Sequence, residues 1–140
     1  MSLSIRNRLS GTVSGITAGA VMSTVTVDLA GGQTVTAAVT GEAVKELGIG
    51  IGSPVDVLVK SSEVALALGE ISGISIRNQL RGTVSSLDNG GAMSVAHVAL
   101  DGGGELTSAI TLAAATDLEL RTGLPVTALV KSTEVALSTV

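Results

Sequence analysis

A single shift of the chain against itself, Ser4 onto Ser75, superposes residues 4–69 on residues 75–140 without a gap. Ser4-Ile5-Arg6-Asn7 returns as Ser75-Ile76-Arg77-Asn78, and Gly11-Thr12-Val13 as Gly82-Thr83-Val84. Val59-Lys60-Ser61-Ser62-Glu63-Val64-Ala65-Leu66 returns as Val130-Lys131-Ser132-Thr133-Glu134-Val135-Ala136-Leu137. Such a tandem duplication divides the chain into units 1–70 and 71–140, and a repeat of this kind buries its apolar face against a neighbour. Units that small rarely stabilise themselves by core burial alone. Disulfide staples are excluded, because the chain has 0 cysteines, and with 0% aromatic residues the core must come from Val, Ile, Leu and Ala. The two copies are therefore expected to pack on each other or on further chains, and a homo-oligomer is the expected state.

The elements repeat with the words. Leu3 to Ile16 favours extended structure, with Gly11 and Gly15 as places for a bulge or bend. Thr17 to Ala20 predicts a turn. Val21, Ser23, Val25, Val27 and Leu29 alternate with more polar or exposed neighbours, the period of a half-buried strand. Ala30-Gly31-Gly32-Gln33 predicts a hairpin turn, since adjacent glycines accept positive φ, and Val35, Ala37 and Val39 form the return strand. Thr40 as N-cap, Glu42 in the first turn and Gly48 as stop predict one short helix. Pro54 opens a fourth strand through Val59, and Glu63 to Leu68 is expected to close the unit as a fifth. Copy two repeats the order, with Val95 to Leu100, a turn at residues 101–104, Leu106 to Ile110, a helix capped by Thr111, then Pro125 to Lys131 and Glu134 to Leu137. The fold class is mainly β: two tandem five-stranded Greek-key barrels of the oligonucleotide/oligosaccharide-binding type, each with one short helix.

Charge narrows the function. A formal net charge of -4 argues against a nucleic-acid surface or an anionic membrane surface, which need clustered Lys and Arg. Single-stranded binders also stack bases on aromatics, which are missing here. No apolar run is long enough to span a bilayer, and the opening residues lack a signal-peptide layout, so a cytoplasmic protein is expected. Catalysis has little to work with. His97 is the single histidine and its match in copy one is Thr26; without cysteine or a second histidine a transition-metal cation has almost no ligands. The carboxylates are scattered rather than set in a calcium loop, and no Lys-Ser/Thr follows Gly102-Gly103-Gly104 as a phosphate loop requires. The chain is expected not to be an enzyme and to need no catalytic cofactor.

Of 8 cations, Arg6 pairs with Arg77 and Lys60 with Lys131 under the shift, while Arg8, Lys45, Arg81 and Arg121 face uncharged residues in the other copy. Each retained cation has hydroxyl neighbours: Ser4 or Ser75 beside the arginine, Ser61 or Ser132 beside the lysine. Arginine fork, ammonium and hydroxyls together can hold an anion, and Thr40 and Thr111 add capped helix starts. The competing reading pairs Arg6 and Lys60 with Glu63 and its copy Glu134 at the surface, where such pairs contribute little. Gly19-Ala20-Val21 and Gly90-Gly91-Ala92 allow either convergent backbone N–H groups or a plain hairpin turn.

In this order the words resemble the molbindins, molybdate-binding proteins of Mop domains in the TOBE class. Ser-x-Arg-Asn with Gly-Thr-Val, a Gly-Ala-Val-like turn, the strand-to-helix Val39-Thr40 and Ile110-Thr111, and Val-Lys-Ser all resemble family words, twice over. The chain departs from them where Ser-Glu or Thr-Glu stands in place of a family Pro-Trp, which puts negative charge near the site. The resemblance implies a cytoplasmic protein that stores molybdate or tungstate non-covalently at subunit interfaces. Its implied site residues are Ser4, Arg6, Thr40, Lys60 and Ser61, with Ser75, Arg77, Thr111, Lys131 and Ser132. The serine and arginine would come from one domain and the rest from a neighbour, while Asn7 and Asn78 either join the ligands or brace the strand. It further implies an axial site at Gly19, Ala20 and Val21, or Gly90, Gly91 and Ala92, and a homotrimer of pseudo-hexameric shape. The alternative is a molybdate-sensing module that acts through a transporter or regulator.

Overall fold

The computed structural model describes residues 3–140. Each copy opens with a 12-residue strand, β1 at Asn7–Ala18 and, later, β6 at Asn78–Asn89. Between Val13 and Gly15 the register of β1 shifts, so the bulge falls where glycine was expected to permit it. Gly11 answers a different need. A Cβ there would lie 2.5 Å from Val27 Cγ1, and one on the matching Gly82 would lie 2.5 Å from the Ala99 carbonyl oxygen. The glycine of Gly-Thr-Val is thus required by close strand approach.

Strands β2 (Met22–Leu29) and β3 (Thr34–Thr40) follow β1 as a meander, and β7 (Met93–Leu100) and β8 (Glu105–Thr111) follow β6. Thr40 ends β3 in extended geometry and accepts from the Ala43 N–H, starting helix α1 (Gly41–Leu47), which Gly48 stops at φ 65. In copy two, Thr111 caps α2 (Leu112–Asp117), which ends on Leu118 in right-handed geometry without a glycine. Strands β4 (Pro54–Val59) and β9 (Pro125–Val130) return antiparallel to β1 and β6.

The last strands correct the expected closure. Residues Ser61–Glu63 and Ser132–Glu134 are not strand but single 3-10 turns, and only Ala65–Ala67 (β5) and Ala136–Thr139 (β10) are extended. β5 pairs with β9 of the second half, and β10 pairs with β4 of the first. The sheets therefore run β10-β4-β1-β2-β3 and β5-β9-β6-β7-β8. A tight hairpin from β4 back onto its own edge calls for positive φ in the turn. Lys60 and Val64, the residues flanking the 3-10 turn, instead have φ -67 and -100, and the chain passes over to the other half. Each curled five-stranded sheet is thus completed by its neighbour's last strand, and the boundary at residue 70 divides the repeat but not the sheets.

The two halves share one apolar cluster. Val13, Val25, Val27, Val55 and Val57 from the first half join Leu80, Val84, Val98, Leu106 and Val130 from the second. Burying that area in common supplies the stabilisation that neither small unit could provide alone. The hairpin tips also meet backbone to backbone: a Cβ on Gly31 would lie 2.6 Å from the Gly103 carbonyl oxygen, and one on Gly102 would overlap that of Gly31. Beside them Gln33 spans the halves, accepting from the Arg81 N–H at 2.9 Å and donating to the Arg81 and Asp101 carbonyls at 2.9 and 3.1 Å. No helix among the described residues is long and apolar enough to cross a membrane.

Candidate functional site

The opening word sits where β1 leaves the sheet. The β1–β4 ladder ends at the pair Asn7–Val59, so Arg6 and Lys60 are the next residues outward on adjacent strands. In the second half the β6–β9 ladder ends at Asn78–Val130, which puts Arg77 and Lys131 in the same relation. Ser4, Arg6, Lys60 and their matches Ser75, Arg77 and Lys131 are all exposed. Arg6 and Lys60 thus stand at the end of one sheet, and Arg77 and Lys131 at the end of the other.

None of these four cations is ion-paired among the described residues. The pairs present are Arg8 with Asp56 at 3.4 Å and His97 with Asp88 and Glu105 at 3.3 and 3.4 Å. Strand exchange carries Glu134 toward Lys60 and Glu63 toward Lys131, yet neither glutamate closes an ion pair. The surface ion pair weighed above as the competing reading is therefore not formed. His97 lies on the outer side of the second sheet in a polar cluster, where Thr107 Oγ1 stands 3.2 Å from Nδ1.

Ser61 and Ser132 open the two 3-10 turns directly after the lysines, and their Oγ atoms are buried with no hydrogen-bond partner. An orphaned buried hydroxyl is unfavourable by about 1–3 kcal/mol, and here it recurs at matched positions beside an unpaired lysine and arginine. Thr40 and Thr111 each accept one backbone N–H at 3.1 Å, which leaves the hydroxyl proton free to donate.

Asn7 and Asn78 have another task. Asn7 is buried, with Oδ1 accepting from the Thr107 N–H at 2.7 Å and Nδ2 donating to the Thr107 carbonyl at 2.8 Å. Asn78 makes the same two bonds to Thr36, both at 2.8 Å. Both amides brace the third strand of the opposite half, and each Nδ2 keeps a second proton beyond that bond. Asn7→Leu keeps the branched outline but strips both bonds from Thr107, and thermal unfolding should show a loss of at least about 2 kcal/mol.

Two grooves gather the other candidates. One of about 520 Å³ is lined by Gly19, Ala20, Val21, Ser23, Thr40 and Lys45, so the axial-turn residues and the helix-capping threonine share a surface. The turn itself is a tight hairpin: Gly19 N–H donates to the Met22 carbonyl at 2.9 Å and Gly90 N–H to that of Met93 at 2.8 Å. A Cβ at Gly19 would lie 2.5 Å from the Met22 oxygen, which is reason enough for the glycine. The second groove, about 250 Å³, is lined by Ile76, Lys131 and Glu134 with Ser62, Glu63 and Ile110. It places the middle of the second opening word, a candidate lysine and the neighbour of Thr111 together across the two halves.

Sequence reasoning missed Ser108. It is buried on β8 and donates to the Val64 carbonyl at 2.6 Å, tying down the end of the turn that Ser61 begins. Its match in copy one is Ala37, a difference that reads as ordinary drift unless the contact is seen.

Two exchanged five-stranded curled sheets, each with a Ser-Ile-Arg-Asn edge, define a tandem small-barrel protein. Residues 3–66 and 74–137 both match the TOBE domain, and the chain belongs to that family as a tandem pair. It is 38% identical over 94% of its length to the molybdenum transport protein ModE of Herbaspirillum seropedicae, covering 49% of that protein. It is 37% identical over 99% of its length to the molybdenum-pterin-binding protein MopA of Rhodobacter capsulatus, covering 52% of it. The chain thus spans about half the length of these two relatives. A crystal structure of the cytoplasmic molybdate-binding protein ModG, with molybdate bound, superposes with a TM-score of 0.96 at 35% identity, covering 100% of both chains.

Proposed function

We propose that this chain binds molybdate or tungstate reversibly and non-covalently, as a cytoplasmic store or buffer of the oxyanion. The observation that carries the reading is the pair of orphaned hydroxyls, Ser61 and Ser132, each beside an unpaired lysine and arginine. The reading is supported by the relatives named for molybdenum and by the molybdate-bound neighbour of the same length. In the first cluster Arg6 offers a fork, Lys60 an ammonium, and Ser4 and Ser61 hydroxyls; Ser75, Arg77, Lys131 and Ser132 form the second. Thr40 and Thr111 complete the cages from a neighbouring subunit of a homotrimer, whose three chains give a pseudo-hexamer of domains.

Every group in this set can donate, so it suits a ligand that only accepts. A tetrahedral dianion meets that condition on all four oxygens, molybdate and tungstate being larger than sulfate, whereas protonated phosphate presents a hydrogen that neither cation can accept and that a hydroxyl could take only by giving up its own donation. No group in the set is paired as nucleophile and base, and the proposed role is binding without turnover. Calorimetry with molybdate, tungstate, sulfate and phosphate tests this: molybdate and tungstate should bind far more tightly than the other two, and equal or absent binding of all four would overturn it. Arg6→Ala and Lys60→Ala should each weaken molybdate binding at least tenfold, the order expected for a lost charged hydrogen bond. Wild-type affinity in both variants would mean that the ligands lie elsewhere.

A second reading, a sensing module acting through a partner, draws on the match to about half of a ModE chain. A pull-down whose captured partners change with molybdate would favour it over storage.

A further inference from the structure

The strands behind the two clusters do not hold them alike. Behind the first, β8 bonds at consecutive residues. Thr107 exchanges two hydrogen bonds with Asn7, at 2.7 and 2.8 Å, which fixes the strand from which Arg6 emerges. Ser108, 0% exposed, then donates its hydroxyl to the Val64 carbonyl at 2.6 Å. Val64 closes the 3-10 turn that starts at Ser61, since its N–H donates to the Ser61 carbonyl. One strand thus anchors both flanks of the first cluster. Behind the second, β3 supplies the matching bonds from Thr36 to Asn78, at 2.8 Å each. The residue that matches Ser108 is Ala37, equally buried at 0% exposure but without a hydroxyl to offer Val135.

We infer that Ser108 is a positioning residue that makes the two oxyanion sites of the chain unequal, the site at Ser61 being tighter than the site at Ser132. The inference rests on the oxyanion reading above and adds which half binds first. Ser108 touches no ligand. It holds the far end of a three-residue turn whose first residue carries the orphaned hydroxyl, so the conformational cost of placing that hydroxyl is met on folding rather than on binding. At Ser132 the turn lacks this anchor, and part of the binding free energy goes into ordering it. One buried hydrogen bond of this kind corresponds to roughly a twofold to tenfold difference in dissociation constant.

The test is titration calorimetry of the full-length chain with sodium molybdate, alongside melting temperatures measured without ligand. Wild type should resolve two classes of site separated by that factor. Ser108→Ala should weaken the tight class and bring the two together. Ala37→Ser, which adds the missing hydroxyl, should tighten the weak class and leave the tight one unchanged. A purely structural serine would lower the melting temperature in Ser108→Ala and leave the separation between classes in place, and that outcome overturns the inference. A wild type with one class of site, matched by an Ala37→Ser variant that binds identically, overturns it as well and leaves the oxyanion reading standing. Absence of molybdate binding by the wild type would remove both.

Discussion

Gly82→Ala should lower the stability of the whole chain by about 3 kcal/mol, the upper part of the range for overpacking a tight interior. Gly82 is buried on β6, where that strand lies between β7 and β9. The new methyl carbon would sit 2.5 Å from the Ala99 carbonyl oxygen and 2.6 Å from Val98 Cγ1. The first is backbone held in the β6–β7 ladder, and the second belongs to a valine that is 0% exposed, so neither has room to withdraw. Relief requires β6 and β7 to move apart, and β6 carries Asn78 and its bonds to Thr36 at the other end. Strain at one glycine therefore reaches the contact between halves. Thermal unfolding should give a melting temperature lower by roughly 10 °C, in one cooperative transition because the core is shared. A change of one or two degrees would show that the strands can slide past the methyl group, and the repeated Gly-Thr-Val would then need another explanation.

Much of this fold can be read locally, and the parts that cannot have a common cause. Thr40 and Gly48 bound a helix through their own hydrogen bond and φ, so their chemistry announces it. Pro54 begins a strand for an equally local reason, whereas the bulge at Gly15 recurs at Ser86 without a glycine. The exchange of last strands is different. Val64-Ala65-Leu66 and Val135-Ala136-Leu137 are the same three residues, so either segment offers β4 or β9 the same edge. No side-chain pattern can distinguish closing one's own sheet from closing the neighbour's. The backbone of the 3-10 turn decides it, and Ser-Ser-Glu or Ser-Thr-Glu gives no turn signal strong enough to be read alone.

The candidate site divides along the same line. Arg6, Lys60, Ser61 and their matches stood out because the repeat keeps them while other charges have changed. The bracing by Asn7 and the anchoring by Ser108 depend on partners at Thr107 and Val64, 100 and 44 residues away in sequence. An asparagine at a strand start reads as a turn former or a ligand with equal ease, and its bracing bonds across the halves are visible only in the fold.

Removal of the last five residues, 136–140, should unprotect the first half of the chain rather than the second. These residues hold β10, whose ladder runs Ala136–Leu58, Leu137–Val57, Ser138–Asp56 and Thr139–Val55. Without them the β4 amides that face β10 lose their acceptors, and β4 becomes a bare edge. Leu137, which packs against the shared core, goes with it. Hydrogen exchange at those β4 amides should quicken by on the order of a hundredfold or more, as protection falls from global to local opening. The β9 amides, paired with β5 and β6, should slow-exchange as before. Had each half closed on itself, the same truncation would expose β9 and spare β4, so the location of the lost protection discriminates between the two arrangements without reference to any ligand. The effect bears on the site as well. Glu134 and Ser132 precede the cut, but their turn is held on its far side by β10 pairing to β4, the strand that leads into Lys60. Releasing β10 therefore loosens the Ser132 turn and also bares the edge of β4 beside Lys60, so molybdate binding by the truncated chain should weaken in both classes of site, and more in the weak one, whose turn has no anchor like Ser108.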